Sequence, residues 1–425
     1  MVHMTEAVLA KKPGLRELGV NKPFMYFLAA KMITRFGDSI DSIAYSWMVY
    51  LLTGSKVLMG TLFAINFVPG ILFSLFTGVF VDRWNPRIIV MIADLSRGIT
   101  VIITGLLYWV GLLEVWHLFM FTFINSTIEC FATPAEMSLV SRILPKQLLL
   151  VGNSVTSSSA RIAELAGLAA AGALIGLLGV SGAIIIDGFT FFISAILICC
   201  IVTLTEPKEP SAQASVSNTQ STTYFQEFKT GFRFIASHRL LLIVMFVATF
   251  VNFCLTPFNV LNTVYVKELL HAGPIALSML GISLIAGMLI TGLWISVKGS
   301  HYKKSTLIVT GFILLGINYS LLFIPVAFPI YPLYFAAIFS FGMGIAVPLV
   351  STPTSTYLME VTPKEMLGRV GSLFSMVCSC AMPVGSLLAG VAAEFIPVHV
   401  LYLILGGLIM IPAIFLGTQK NFMKV

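Results

Sequence analysis

Apolar stretches of about 20 residues, separated by short polar or Gly- and Pro-containing turns, recur along nearly the whole chain. At 1.5 Å rise per residue each is long enough, as a helix, to cross a hydrocarbon layer about 30 Å thick. Twelve such spans can be read, beginning near Phe24, Val57, Ile88, Val115, Leu148, Gly182, Leu240, Pro274, Ser305, Tyr331, Met366 and Val400. The pattern predicts an all-α membrane protein. Its longest polar interruption, residues 206–239, falls between the sixth and seventh spans and contains the Ser/Thr/Gln-rich run 211–223. That is a linker between two six-helix bundles. The expected organisation is an N-terminal segment 1–23, a first bundle 24–205, the linker 206–239, a second bundle 240–418 and a tail 419–425. Within the linker, Phe225, Phe228, Phe232 and Ile235 are spaced 3, 4 and 3 apart, a stripe suited to lying on a membrane surface or packing on the protein.

Internal repetition supports the two halves. At an offset of 218, Pro145-Lys146 aligns with Pro363-Lys364, Leu149 with Leu367, Ser154 with Ser372 and Gly167 with Gly385, so the fifth span matches the eleventh. Two pseudo-symmetric bundles follow from this.

Composition fits a lipid solvent. Of 425 residues 58% are apolar and 10% charged, against about 25% charged in soluble domains. The net charge of +7 does not imply nucleic acid, because the basic residues are scattered through short loops and form no continuous face. Counted on alternate sides of the spans, 19 Lys and Arg fall on the side of both termini and two, Lys56 and Lys267, on the other. Positive charge is retained in the cytoplasm, so both termini and the linker are expected there, in a multi-pass plasma (inner) membrane protein. Residues 1–23 have no short apolar core followed by a small-residue cleavage site, so no cleaved signal is expected. The six cysteines fall in or beside apolar spans without a CxxC pair or a His cluster; neither disulfides nor a metal are expected, and no cofactor is implied.

The remaining four bases, Lys31, Arg35, Arg97 and Arg161, lie inside spans, where an ionisable group is expensive and marks function. Span one carries Lys31, Arg35, Asp38, Ser42 and Tyr45 as one helical stripe, with Asp41 to one side. That stripe must face protein or a water-filled cavity. Asp38, Glu129 on span four and Arg161 on span five each lie about 20 Å from the start of their helices, so the three are expected to share one cavity. Asp94 and Arg97 on span three stand at i, i+3 and are expected to form a fixed structural ion pair. With Glu164 and Asp187 the spans hold six acids against four bases. Protonation or a cationic ligand would relieve the excess. The candidate coupling residues are therefore Asp38, Glu129, Arg35, Arg161, Asp41 and Glu164. The second half offers instead Asn252, Asn259, Asn262, Asn318 and Met343 among many aromatics, an apolar wall suited to greasy molecules of varied shape. No GxxxxGK[ST] loop and no convincing nucleophile and base exist for ATP-driven or enzymatic chemistry.

The loop after span two reads Gly78-Val-Phe-Val-Asp82-Arg83-Trp84-Asn85-Pro86-Arg87. It resembles the GxxxDRxGRR signature of the major facilitator superfamily, with Asn85, which tolerates a left-handed turn, in place of Gly, and Pro86 in place of a basic residue. The resemblance implies a latch of Gly78, Asp82, Arg83 and Arg87 against a neighbouring helix end. Phe36-Gly37-Asp38, Trp47, Leu52-Thr53-Gly54-Ser55, Pro134, Arg161, Asp187-Gly-Phe-Thr-Phe191 and Pro363 to Val370 extend it to the macrolide-efflux and enterobactin-exporter branch. That branch implies export of amphipathic molecules by alternating access, with multidrug resistance as the outcome. Drug antiporters often carry Gly-Pro in span five, where this chain has Glu164-Leu165. The expectation is a proton-coupled antiporter whose partners are membrane lipids, an amphipathic cation and protons. A lipid or lysophospholipid flippase would instead use Arg35, Arg97 or Arg161 to hold a phosphate. A non-transporting scaffold or receptor is the third reading.

Overall fold

A computed structural model of the chain describes residues 15–201, 232–328, 330–363, 366–419 and 422. Local sequence sets the helix ends. The first long helix, α1 (Lys22–Thr53), starts where the Asn21 side chain accepts from the Phe24 amide at 3.0 Å, and Pro23 fits the first turn. The same Asn21 donates its Nδ2 to the carbonyl of Ile143 at 3.0 Å, tying the start of α1 to the end of α4 (Val115–Ile143). Left-handed Gly54 ends α1, and Ser55 caps α2 (Lys56–Arg83) by accepting from the Leu58 amide.

Asn85 caps α3 (Pro86–Trp109) from an extended backbone, φ −74° and ψ 114°, accepting from the Arg87 amide. Asn85 thus serves as a helix cap, and the left-handed conformation that Asn tolerates is not used there. After α4 (Val115–Ile143) a 51-residue helix, Leu149–Cys199, is broken at Gly179, whose φ of 74° and ψ of 175° suit a residue without Cβ. The break divides it into α5 (149–178) and α6 (180–199).

The second half holds α7 (Arg239–Val264) with a π-helical turn Tyr265–Leu269, α8 (Pro274–Lys298), α9 (Lys304–Leu321), α10 (Pro332–Val361), α11 (Leu367–Phe395) and α12 (Val398–Thr418). Among the described residues nine helices are long and apolar enough to cross a membrane, the 51-residue one included. Helices α1 and α4 are as long but carry charged and polar residues through their middles.

In the first half α1 and α3 pack on the Leu149–Cys199 helix, and α2 and α3 on α4; in the second, α8 and α9 pack on α10, α12 on α9, and α7 on α11. The halves meet along two seams, α2 against α11 and α5 against α8. Lipid gives helices no hydrophobic reason to associate, so close packing at small residues does this work. Gly60 lies against the Ser386 carbonyl and Gly390, and Gly172 lies against Ile275. Among the described residues, the ion pair and hydrogen bonds that cross between the halves, from Lys56 and Tyr50 to Glu268 and from Lys56 to the Ala393 carbonyl, lie at the end opposite the chain termini. Of the aromatic stripe in the linker, Phe225 and Phe228 lie outside the described residues. Phe232 is exposed, while Ile235 is buried with Leu241, Tyr357 and Val370 of the second half.

Candidate functional site: a charged cavity between the halves

A cavity of about 380 Å³ is lined almost wholly by the first half, with Asn259 and Val260 of α7 touching it from the second. Helix α1 contributes Arg35, Asp38, Asp41, Ser42 and Tyr45; α3 contributes Arg97 and Thr104; α4 contributes Thr122, Asn125, Ser126 and Glu129; α6 contributes Asp187 and Phe191. Ser46 of α1, Asn66 of α2 and Asn259 of α7 complete the polar lining. The stripe predicted on α1 faces this cavity from Arg35 to Tyr45, and Asp41 joins it. Lys31, one turn nearer the termini, turns to α4 and pairs with Glu136 at 2.6 Å.

The lining holds four acids, Asp38, Asp41, Glu129 and Asp187, against two arginines. Arg97 is the central cation. Its Nη2 donates to Asp38 Oδ1 at 3.2 Å, and its guanidinium carbon stands 4.4 Å from the centroid of the Phe191 ring. Its Nε is buried without a hydrogen-bond partner. Arg35 is held more loosely, 4.0 Å from Asp38 with its side chain 49% exposed.

The fixed pair expected between Asp94 and Arg97 is therefore replaced. Arg97 reaches across to α1, and Asp94 is buried and accepts from the Ser194 hydroxyl of α6 at 2.6 Å. Arg161 and Glu164 do not reach this cavity's lining. They pair with each other on α5, Arg161 Nη1 to Glu164 Oε2 at 2.8 Å, on the exposed side. Three residues that the sequence reading did not single out, Asn66, Asn125 and Ser126, form the hydrogen-bonded wall. Ser126 donates to Asn66, and Asn125 Oδ1 accepts from Thr100 at 2.9 Å. Their signal was a side-chain amide, or for Ser126 a hydroxyl, within an otherwise apolar span. Tyr45 and Thr122 join α1 to α4 by a hydroxyl pair at 2.8 Å.

A second cavity, of about 460 Å³, lies wholly in the second half. Among the described residues its lining holds no Asp, Glu, Lys or Arg; Asn252, Ser351, Thr354, Ser375 and Ser379 stand among Val, Leu, Ile and Phe. Asn252 donates to the Cys378 carbonyl at 3.3 Å. Asn259 lines the charged cavity, whereas Asn318 bonds within its own helix and Met343 is buried in the core.

At the terminal end, Arg87 donates Nε to the Ile198 carbonyl at 3.2 Å and Nη2 to that of Cys199, the last carbonyls of α6. A cation there complements the negative end of the helix dipole. The side chains of Gly78, Asp82 and Arg83 lie outside the described ones. In the second half Lys304 pairs with Glu360. Among the described residues no three His, Cys, Asp or Glu are grouped to hold a metal, and the six cysteines are unpaired.

Two packed helical halves around a charged intramembrane cavity make a transporter architecture. The chain matches the Major Facilitator Superfamily over residues 27–377 and again over 241–420, and it belongs to that family. It is 28% identical to an uncharacterised transporter of this type, YvqJ of Bacillus subtilis, over 87% of this chain and 86% of that protein. It is 25% identical to macrolide efflux protein A of Streptococcus pyogenes, covering 92% and 94%, and 24% identical to the multidrug efflux pump Tap of Mycolicibacterium fortuitum, covering 94% and 95%. Among solved structures, a variant of the nucleoside transporter NupG superposes with a TM-score of 0.71 at 15% identity over 93% of this chain and 99% of that one. This likeness concerns the fold.

Proposed function

We propose that the protein is a proton-coupled antiporter that exports amphipathic cations by alternating access. The observation that carries this reading is the charge of the central cavity, four acids against two arginines in a low-dielectric setting. Such a site favours a proton or a cationic ligand, and competition between them for one set of carboxylates couples their movements. The uncharged second cavity suits the apolar body of the same molecule. Similarity to macrolide and multidrug efflux proteins points the same way. The count of 19 basic residues against two assigns both termini to the cytoplasmic side of the plasma membrane.

Arg35 supports one other reading. A loosely paired, half-exposed guanidinium in the cavity can take a phosphate, as a lysophospholipid flippase requires. Purified protein in liposomes with an imposed pH gradient, offered a cationic dye, a macrolide and a labelled lysolipid, separates the two. Gradient-driven movement of the dye or macrolide is expected; movement of lysolipid alone, indifferent to pH, would favour the flippase.

A further inference from the structure

Asp187 is the most deeply buried acid of the cavity, with 1% of its surface exposed. It sits about 12 Å along α6 from Gly179. Among the described residues no Lys, Arg or His atom lies within ion-pairing distance of it, and its carboxyl accepts from its own neighbour, the Thr190 hydroxyl, at 3.2 Å. That hydroxyl also donates to the Asp187 carbonyl at 2.7 Å, so its proton is shared. On the other side the carboxyl is pressed against α1, where a Cβ at Gly37 would overlap both Asp187 and Thr190. An ionised carboxylate so enclosed, without a counter-ion, is costly.

The charges that face it come from two helices packed on α6. Asp38 and Asp41 on α1 repel a negative charge, and Arg97 on α3 attracts one. Glu129 on α4 lines the same cavity, and Asp94 of α3 lies farther toward the termini on Ser194. Arg97 is engaged elsewhere, donating to Asp38. Its guanidinium lies over Phe191, one helical turn from Asp187 on the same face of α6, and its Nε has no partner. A guanidinium with a free donor, one turn from an unpaired acid, has two alternative partners within reach.

We propose that Asp187 is the proton carrier of the cavity, neutral while Arg97 holds Asp38 and ionised when Arg97 turns to it. In the first arrangement Asp187 is a carboxylic acid and Asp38 a carboxylate. When Arg97 moves one turn along α6, the Asp187 proton leaves to cavity water and the guanidinium balances the new carboxylate. Asp38, released, is free for a proton or the cationic group of a ligand. One arginine thus prevents both acids from being compensated at once.

The assignment rests on the proton-coupled reading, but its test involves no transport, so the two fail separately. Infrared difference spectra of the purified protein at neutral pH should contain a carboxylic-acid carbonyl stretch that shifts in heavy water. This component should be lost in Asp187→Asn, an isosteric change that mimics the neutral acid and keeps the fold. It should also be lost in Asp38→Asn, where Arg97 is freed to pair with Asp187, and should survive in Glu129→Gln. A spectrum unchanged by Asp187→Asn would overturn the assignment of the proton. A band surviving in Asp38→Asn would overturn the exchange of Arg97.

Discussion

The ammonium of Lys56, at the head of α2, stands 3.4 Å from the carboxylate of Glu268 in the π-helical turn after α7, an ion pair that joins the two halves. Tyr50 of α1 donates to the same carboxylate, Lys56 also donates to the Ala393 carbonyl of α11 at 3.3 Å, and Lys267 lies 4.8 Å from the Tyr50 ring centroid. The two basic residues that stand apart in the sequence count thus converge on one clasp. A pair this exposed contributes about 1 kcal/mol, roughly a fivefold bias between conformations. Glu268→Gln should therefore raise the reactivity of a cysteine placed by Ala393→Cys, in a background without native cysteines, toward a membrane-impermeant thiol reagent several-fold. Unaltered labelling would make the clasp incidental.

Asp94 accepts from Ser194 inside the first half, away from the cavity. Ser194→Ala leaves a buried carboxyl group without its hydrogen-bond partner, at a cost of about 1–3 kcal/mol. Thermal unfolding of the purified variant should shift down by a few degrees while substrate affinity stays unchanged. A change in affinity without loss of stability would move Asp94 into the transport machinery.

Removing Arg87 strips the last carbonyls of α6 of their cation, worth about 0.3–2 kcal/mol at a helix end. Arg87→Gln is expected to slow transport while leaving membrane insertion and substrate binding intact, since the contact is remote from the cavity. Binding and flux measured on one preparation would check it; a parallel loss of both would place Arg87 in the ligand site.

Gly37 separates α1 from α6 by less than a side chain at Asp187 and Thr190. Gly37→Val should therefore force the helices apart, destabilising the protein by about 1–3 kcal/mol, which a lowered unfolding midpoint would register. An unchanged midpoint would mean that the contact yields freely.

The spans were legible because lipid demands long apolar runs, and helix starts such as Val115 and Pro274 coincide with the expected ones. The stripe from Arg35 to Tyr45 was legible for the same reason, since helical periodicity fixes a shared face. Partnership across helices was not. Spacing alone couples Asp94 to Arg97, while the fold sends Arg97 to Asp38 and gives Asp94 to Ser194. Depth along a helix placed Arg161 with Asp38, but depth says nothing of rotation, and Arg161 pairs with Glu164 on its own helix, outside that cavity's lining. The Lys56–Glu268 clasp joins residues of opposite halves, and no local pattern encodes it.

Opposed movement of a cation and protons is what the acid cavity is proposed to perform. The most direct measurement uses liposomes containing the protein and a trapped pH indicator, to which an amphipathic cation is added with no pH gradient imposed. The cation moving one way is expected to drive protons the other way, and Asp38→Asn and Asp187→Asn to abolish this proton movement. Cation flux without proton displacement, or proton displacement unaffected by both substitutions, would contradict it.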